Sequence, residues 1–290
     1  MSKTSIRFFN NKEVRATWDD NTEKWYFSAI DIIGLLNNEE NYEKNRNYWK
    51  FLKSKLKKKN FQPVSDTTQL KLKSLDNKTR MTDVLNSEQV VQLAKKIPNS
   101  KANNFLEWFL YSENTIDGQS KKKAYQLFQT DLIKDNDIGK TKSLIQIHSF
   151  LFDGLYTFAG KIRTKNISKG GFMFANSDFL NQTLDAISSM PQTTFLQIIE
   201  KYIETNIAHP FMEGNGRSAR IWLDLILKKE LKKCVDWSKI DKESYLEAMT
   251  LSPTNPTRII TLLKSALTNK INDCEIFMKG IDYSYYYEEN

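Results

Sequence analysis

Cysteine is nearly absent: only Cys234 and Cys274 occur in 290 residues, and they show no paired spacing. That excludes a disulfide framework and a cysteine-based zinc site, and it fits a reducing compartment. Histidine is equally scarce, so proton exchange near neutral pH rests on His148 and His209 alone. No apolar run approaches the ~20 residues needed to cross a bilayer. The start, Met1 to Arg7, lacks the apolar core of a secretory signal. Internal repeats and low-complexity tracts are missing as well. A cytoplasmic protein with no membrane attachment is the expectation.

Hydrophobic residues make up 40% of the chain and aromatics 12%, enough to fill real cores. The length suits about two domains. The net charge of +8 is unevenly spread. Residues 1–110 hold 20 Lys+Arg against 13 Asp+Glu, and the remainder is nearly balanced. An acidic partner for that part, nucleic acid first, is one reading, and a solvated basic surface is the other.

The early chain alternates like short strands over 5–9, 13–18 and 24–27, with Asp19-Asp-Asn-Thr22 as a turn. Ser28-x-x-Asp31 resembles a capping box and starts a helix through Leu36. A second helix spans 42–59 and ends in a lysine cluster. A polar hairpin (64–83) and two apolar-periodic stretches (86–96, 101–112) follow, so the first part is α+β. Between Ser112 and Lys123 the pattern lapses, which places the domain boundary at 112/113. Beyond it nearly everything reads as helix: 121–133, 141–158, 177–189, 193–207, 215–230, 242–251, 256–269 and 272–288. One interruption, Arg163–Ala175, reads as a hairpin around Lys169-Gly-Gly171.

The densest chemistry lies in His209-Pro-Phe-Met-Glu-Gly-Asn-Gly-Arg-Ser-Ala-Arg220. Glu213 to Arg217 is a glycine-flanked turn before an amphipathic helix, a setting in which successive N–H groups and the helix dipole bind anions. Gly214 and Gly216 permit close phosphate approach. Arg217 and Arg220, three apart, both reach one polyphosphate. Glu213, a lone carboxylate beside phosphate donors, suits Mg²⁺, and His209 supplies a proton acceptor. His148, within an apolar helix, reads as structural.

This segment resembles the Fic family signature, HxFx(D/E)GNGRxxR, at every defined position. The resemblance extends through Gln146–Phe152, Leu155–Arg163 and Gly170–Ala175. It implies an all-α Fic domain over 113–290, a helical bundle with a β-hairpin flap. The implied activity is transfer of AMP from ATP, with Mg²⁺, to a Ser, Thr or Tyr hydroxyl of a target protein. By resemblance His209 is the general base, Phe211 fixes the loop and Glu213 holds Mg²⁺. Asn215 and the amides of Gly214 and Gly216 grip the phosphates, with Arg217 at the β- and Arg220 at the γ-phosphate. Gly171, Phe172, Met173 and Phe174 form the flap that docks the target. Relatives that transfer other groups share the fold; the motif-loop substitutions of the phosphate-transferring branch are absent, which favours AMP.

The tail, Ile281-Asp-Tyr-Ser-Tyr-Tyr-Tyr-Glu-Glu-Asn290, resembles the inhibitory (S/T)xxxE(G/N) helix, here over 272–290 and placed C-terminally as in the class-III branch. Ser284 and Glu288 then share one face, with Glu288 on Arg220; Glu289 is the alternative register. Tyr285, Tyr286 and Tyr287 also offer acceptor hydroxyls for a self-modification that releases the helix. Residues 1–112 resemble the BRO-type module of phage antirepressors, through Trp25–Ile33, Asn47–Trp49, Thr68–Lys71 and Ile97–Ala102. That implies DNA binding, with Lys53, Lys55, Lys57, Lys58 and Lys59 on phosphates, while target recognition or homo-oligomerisation stays open. The alternative for the whole is a DNA-binding regulator whose second half senses nucleotide.

Overall fold

The computed structural model describes residues 4–9, 12–19, 21–22, 24–58, 67–73, 78–97, 102, 105–106, 108–109, 115–127 and 137–288. The chain divides into two compact units, Met1–Thr115 and Ile116–Asn290, three residues beyond the boundary expected from composition.

The first unit carries strands β1 (Thr4–Phe9), β2 (Lys12–Asp19) and β3 (Lys24–Ser28), then helices α1 (Ala29–Asn37) and α2 (Tyr42–Lys58). Strands β4 (Thr68–Lys73) and β5 (Thr79–Asn86) and helix α3 (Ser87–Lys96) follow. The strands form one antiparallel sheet in the order β1-β2-β3-β5-β4. Val14, Ala16 and Phe27 pack with Ile32, Ile33 and Leu36 in its core. Only half of the capping-box expectation holds. Ser28 Oγ accepts from the Asp31 N–H at 3.3 Å, but the Asp31 carboxylate takes a two-pronged bond from Arg15 (2.6 and 2.8 Å). A strand partner out-competes the local backbone because a charged fork bonds more strongly than a single N–H.

The second unit carries α4 (Ile116–Leu127), α5 (Thr141–Phe152), β6 (Ser168–Lys169), β7 (Phe172–Met173), α6 (Leu180–Ser189) and α7 (Phe195–Ala208). Then come α8 (Asn215–Leu231), β8 (Cys234–Val235), α9 (Lys242–Leu251), α10 (Thr257–Ser265), β9 (Leu267–Thr268) and α11 (Cys274–Tyr286). Buried Leu144, Ile147, Ile198, Ile199, Tyr202, Trp222 and Ile226 fill its core. A Thr194–Gln197 capping box starts α7.

Two expectations need correction. The helix read over 141–158 stops at Phe152, and Gly154 turns the chain at φ +70°. The all-α reading also missed β8–β9, in which Cys234 and Val235 pair antiparallel with Thr268 and Leu267. Two-residue strands carry no period to detect, and β9 exists only because α10 ends at Ser265 and returns the chain to β8.

Candidate active site

The motif loop is held between two left-handed backbone positions. His209 ends α7 at φ +47°, and Gly214 precedes α8 at φ +82°. A β-carbon on Gly214 would stand 2.4 Å from the Phe152 ring, so the turn requires glycine. For a histidine the left-handed position costs about 1–2 kcal/mol, and surrounding bonds must enforce it. Arg163 does so. Buried to 3% exposure, it donates from Nε to His209 O (2.8 Å), and from its two Nη to Lys165 O (2.7 Å), Ala208 O (3.1 Å) and Ala175 O. Its own N–H donates to Pro210 O at 2.9 Å.

The His209 ring stacks on Phe174, with centroids 3.8 Å apart and planes at 17°. Nδ1 lies 3.2 Å from Asn206 O. A carbonyl can only accept, so Nδ1 carries the proton and Nε2 keeps its lone pair. Burial lowers the His209 pKa to about 4, with the Asn206 bond opposing, so the ring is neutral at pH 7.

His148, wholly buried, braces the loop from beneath. Its Nδ1 accepts from the Gly160 N–H at 2.9 Å, which leaves Nε2 to donate to Glu213 O at 2.9 Å. Burial lowers its pKa too, to about 4. The Phe211 ring stacks on it at 3.7 Å. The Asn215 side chain is closed on the loop as well: Oδ1 accepts from the Phe211 N–H and Nδ2 donates to Phe211 O, both at 2.8 Å. That amide is thus occupied by protein.

Glu213 Oε1 accepts from the Gly214 N–H (3.0 Å) and Arg217 Nη2 (2.8 Å). Its side chain is 55% exposed. Among the described residues no group of three or more acidic, cysteine or histidine side chains could hold a metal. A lone exposed carboxylate fits a Mg²⁺ ion that arrives on phosphates and keeps several waters. Arg217 is buried between the rings of Phe152 and Tyr285, and its Nη1 pairs with Asp117.

Arg220 is buried and faces the C-terminal helix. Nε donates to Ser284 Oγ (2.7 Å), and Nη2 to Ser284 O (2.7 Å) and Glu288 Oε1 (2.5 Å). Nη1 donates to Tyr245 Oη at 3.3 Å. Burial works against the Glu288 carboxylate, yet Arg220, with smaller help from Arg217 and Lys169, holds its pKa below the usual range. A β-carbon on Gly216 would stand 2.2 Å from Glu288 Oε1, so the bare α-carbon there makes room for that carboxylate. Glu289 lies outside the described residues.

Helix α11 is pinned elsewhere. Wholly buried Asp282 accepts from Lys121 Nζ (2.8 Å) and from the Tyr125 hydroxyl. Tyr285 Oη donates to Ser120 Oγ (3.0 Å), and Tyr287 Oη to Ile240 O (2.7 Å). Tyr285, Tyr286 and Tyr287 are all buried, so the expected self-acceptor hydroxyls are closed off in this arrangement.

Gly170 and Gly171, at φ +57° and +82°, form the two-residue turn between β6 and β7. Phe172 is 36% and Met173 64% exposed, while Phe174 reaches His209. The structure thus gathers Phe174 with His209 and Glu213 with Arg217, and sets Arg220, Ser284 and Glu288 together. Sequence reasoning missed Asp117, Arg163, Tyr245 and Asp282. Arg163 and Asp282 carry no local signal, since each acts on chain far away.

The Fic/DOC family model matches residues 139–227. Protein adenylyltransferase VbhT of Bartonella schoenbuchensis is 28% identical over 139 residues, covering 43% of this chain and 28% of that protein. A probable protein adenylyltransferase Fic of Escherichia coli is 22% identical over 140 residues, 44% of this chain and 70% of the relative. The chain thus spans under a third of the first relative's length. Among solved structures, the N-terminal Fic domain of a Bartonella effector from strain AR 15-3 aligns with TM-score 0.48 and 16% identity, over 55% of this chain and 83% of that one. BepC of Bartonella tribocorum, solved with bound AMPPNP, aligns at 0.46 and 17%, over 53% and 84%.

Proposed function

We propose that this chain transfers AMP from ATP to a hydroxyl of a target protein, and that its C-terminal helix restrains the reaction. One observation carries the reading. One loop and the first turns of α8 bring together a neutral imidazole at His209, a glycine-led helix start, and two buried arginines facing carboxylates where phosphates would go. The match of 139–227 to the Fic/DOC family and the adenylyltransferase names of its relatives support it.

In this reading Nε2 of His209 takes the proton of a Ser, Thr or Tyr hydroxyl, whose oxygen attacks the α-phosphorus as pyrophosphate leaves. The N–H groups at the start of α8 bind phosphate oxygens, with Arg217 on the β- and Arg220 on the γ-phosphate. Positioning and charge neutralisation supply most of the acceleration in such transfers. Glu213 would hold Mg²⁺, which would neutralise phosphate charge. The β6–β7 hairpin serves as the target-docking flap, its free edge pairing with an extended segment. Glu288 occupies the γ-phosphate position, so ATP binds with its triphosphate displaced until α11 leaves.

The test is label transfer in a lysate. α-³²P-ATP labels a protein band and γ-³²P-ATP does not. Label from both, or from neither with the Glu288→Gly variant, would sink the reading. Mass spectrometry of the band identifies the acceptor.

A second activity is proposed for the first unit, on the observation that Arg46, Lys50, Lys55, Lys57 and Lys58 are exposed along α2. They suit a polyanion such as DNA, as the antirepressor resemblance implies. Lys53 is excluded from that set because it pairs with Asp83 at 2.9 Å, and Lys59 lies outside the described residues.

A further inference from the structure

The side chain of Arg163 joins two stretches of chain that meet at His209. Its Nη1 donates to Lys165 O (2.7 Å) and its Nη2 to Ala175 O, and those carbonyls belong to the two legs of the β6–β7 hairpin. Nε donates to His209 O (2.8 Å), and Nη2 also donates to Ala208 O (3.1 Å), at the end of α7. One buried planar group thus holds both hairpin legs and the backbone of the proposed base. No carboxylate among the described residues pairs with it. Its charge is matched instead by the C-terminal end of α7, where helix carbonyls lack partners and the dipole is negative.

The hairpin and the base meet at two further points. The Ala175 N–H donates to Ile207 O at 3.1 Å, and the Phe174 ring lies against the His209 ring. A left-handed histidine relaxes unless its surroundings over-determine it, and these restraints reach it through the hairpin stem. Were His209 to relax, its ring would leave both Asn206 O and Phe174. A guanidinium suits this task because its donors stand in a fixed fork. An ammonium is a point charge and cannot span the same four carbonyls.

We propose that Arg163 is a positioning residue: it couples the seating of the β6–β7 hairpin to the backbone of His209, so that a target segment docked on the hairpin sets the base for attack. The kinetic consequence rests on reading the site as an AMP transferase; the coupling itself does not. Asn166 gives a separate handle on the stem. It is exposed, and its Oδ1 accepts from the Ser177 N–H at 2.8 Å, which ties the stem together.

The chain has only two histidines, so ¹⁵N NMR of their rings reads the site directly, with His209→Ala as the assignment control. In the full chain His209 should show one tautomer, protonated at Nδ1. Arg163→Lys should mix the tautomers and move the His209 pKa up from about 4 towards the ordinary value of about 6.5. Glu288, Lys169 and Arg163 are the charges that bear on this ring, and the lysine variant keeps every sign, so the move reports position. In the Glu288→Gly chain, Arg163→Lys should lower the initial rate of label transfer in lysate about 100-fold, the scale of a ~1 Å misplacement. The Kd for ATP should be unchanged. Asn166→Ala should move the ring signals in the same direction, and should add nothing once Arg163 is lysine. It reads the coupling even if Arg163→Lys misfolds. An unchanged His209 tautomer and pKa in either folded variant, fully additive effects of the two, or a matching loss of ATP affinity overturns the proposal. Ring signals that move as expected in a chain with no transfer activity would instead leave the coupling standing and remove the transferase reading.

Discussion

His209 combines a left-handed backbone, a ring stacked on Phe174 and a pKa lowered to about 4 by burial. A base that is neutral above about pH 5 has a distinctive profile. The rate (kcat/KM) should stay flat on its acidic side down to about pH 5 and fall towards pH 4 as Nε2 is protonated. A limb near the ordinary histidine value of about 6.5 would mean that the ring is solvated during turnover. His209→Ala should abolish transfer while ATP binding, measured by calorimetry, survives, because the ring acts on the acceptor and not on the nucleotide. His148 gives a stability prediction. Its folded pKa is depressed to about 4, so the unfolded chain binds more protons between about pH 6.5 and 4. The stability it contributes is present above about 6.5 and is lost as pH falls through that window, on the order of 3 kcal/mol. Urea titrations of wild type and His148→Gln at pH 7 and pH 4 should show the variant losing less.

Among the elements, α11 is the one proposed to restrain the site. Its grip on α8 is broad: Glu288 and Ser284 hold Arg220, and the rings of Tyr285 and Tyr287 lie over Arg217 and Arg220 respectively. Removing one carboxylate therefore weakens the hold on the proposed γ-phosphate position without freeing the helix, because Ser284 of α11 still bonds Arg220. Glu288→Gly should raise the initial rate at saturating ATP about tenfold, since about 1.4 kcal/mol is a decade. Glu289→Gly should change it little, and the reverse pattern would move the inhibitory carboxylate by one residue. Arg220→Ala should not be activated, as it loses the phosphate contact together with the pair. Asp282 sits two residues before Ser284 in the same helix and is buried with Lys121. Asp282→Ala leaves a buried ammonium without its partner, which costs about 3–5 kcal/mol. Hydrogen exchange across 274–286 should rise accordingly, and transfer should rise with it.

For the whole molecule the uneven charge has a testable consequence. If α2 carries phosphate contacts, the full chain should retain duplex DNA at low salt and release it steeply as salt rises. Replacing Lys55, Lys57 and Lys58 together with alanine should reduce the log–log salt slope by about 3. An unchanged slope in an electrophoretic or anisotropy titration would assign the basic surface to solubility instead. The transfer assay is independent of that result, so the two units can be judged separately.

The sequence alone determined the motif and most element types, though not the short β8–β9 pair. Strand alternation over 5–9, 13–18 and 24–27, helix periodicity from 141 onward, and the glycine-flanked run from His209 to Arg220 are local patterns, written in neighbouring residues. Ser284 and Glu288 were likewise legible, because a helix places i and i+4 on one face. Only the tertiary structure decided what those groups meet. Arg163 reaches back to His209, Asp117 to Arg217, Lys121 to Asp282, and α10 folds Leu267 onto Val235. Each of these joins residues dozens of positions apart. Charge and burial there are set by which elements pack together, and no local pattern carries that information. The same is true of a cavity beside α11, whose walls come from α4, α5, α8, β8 and α11, which the sequence places in separate stretches.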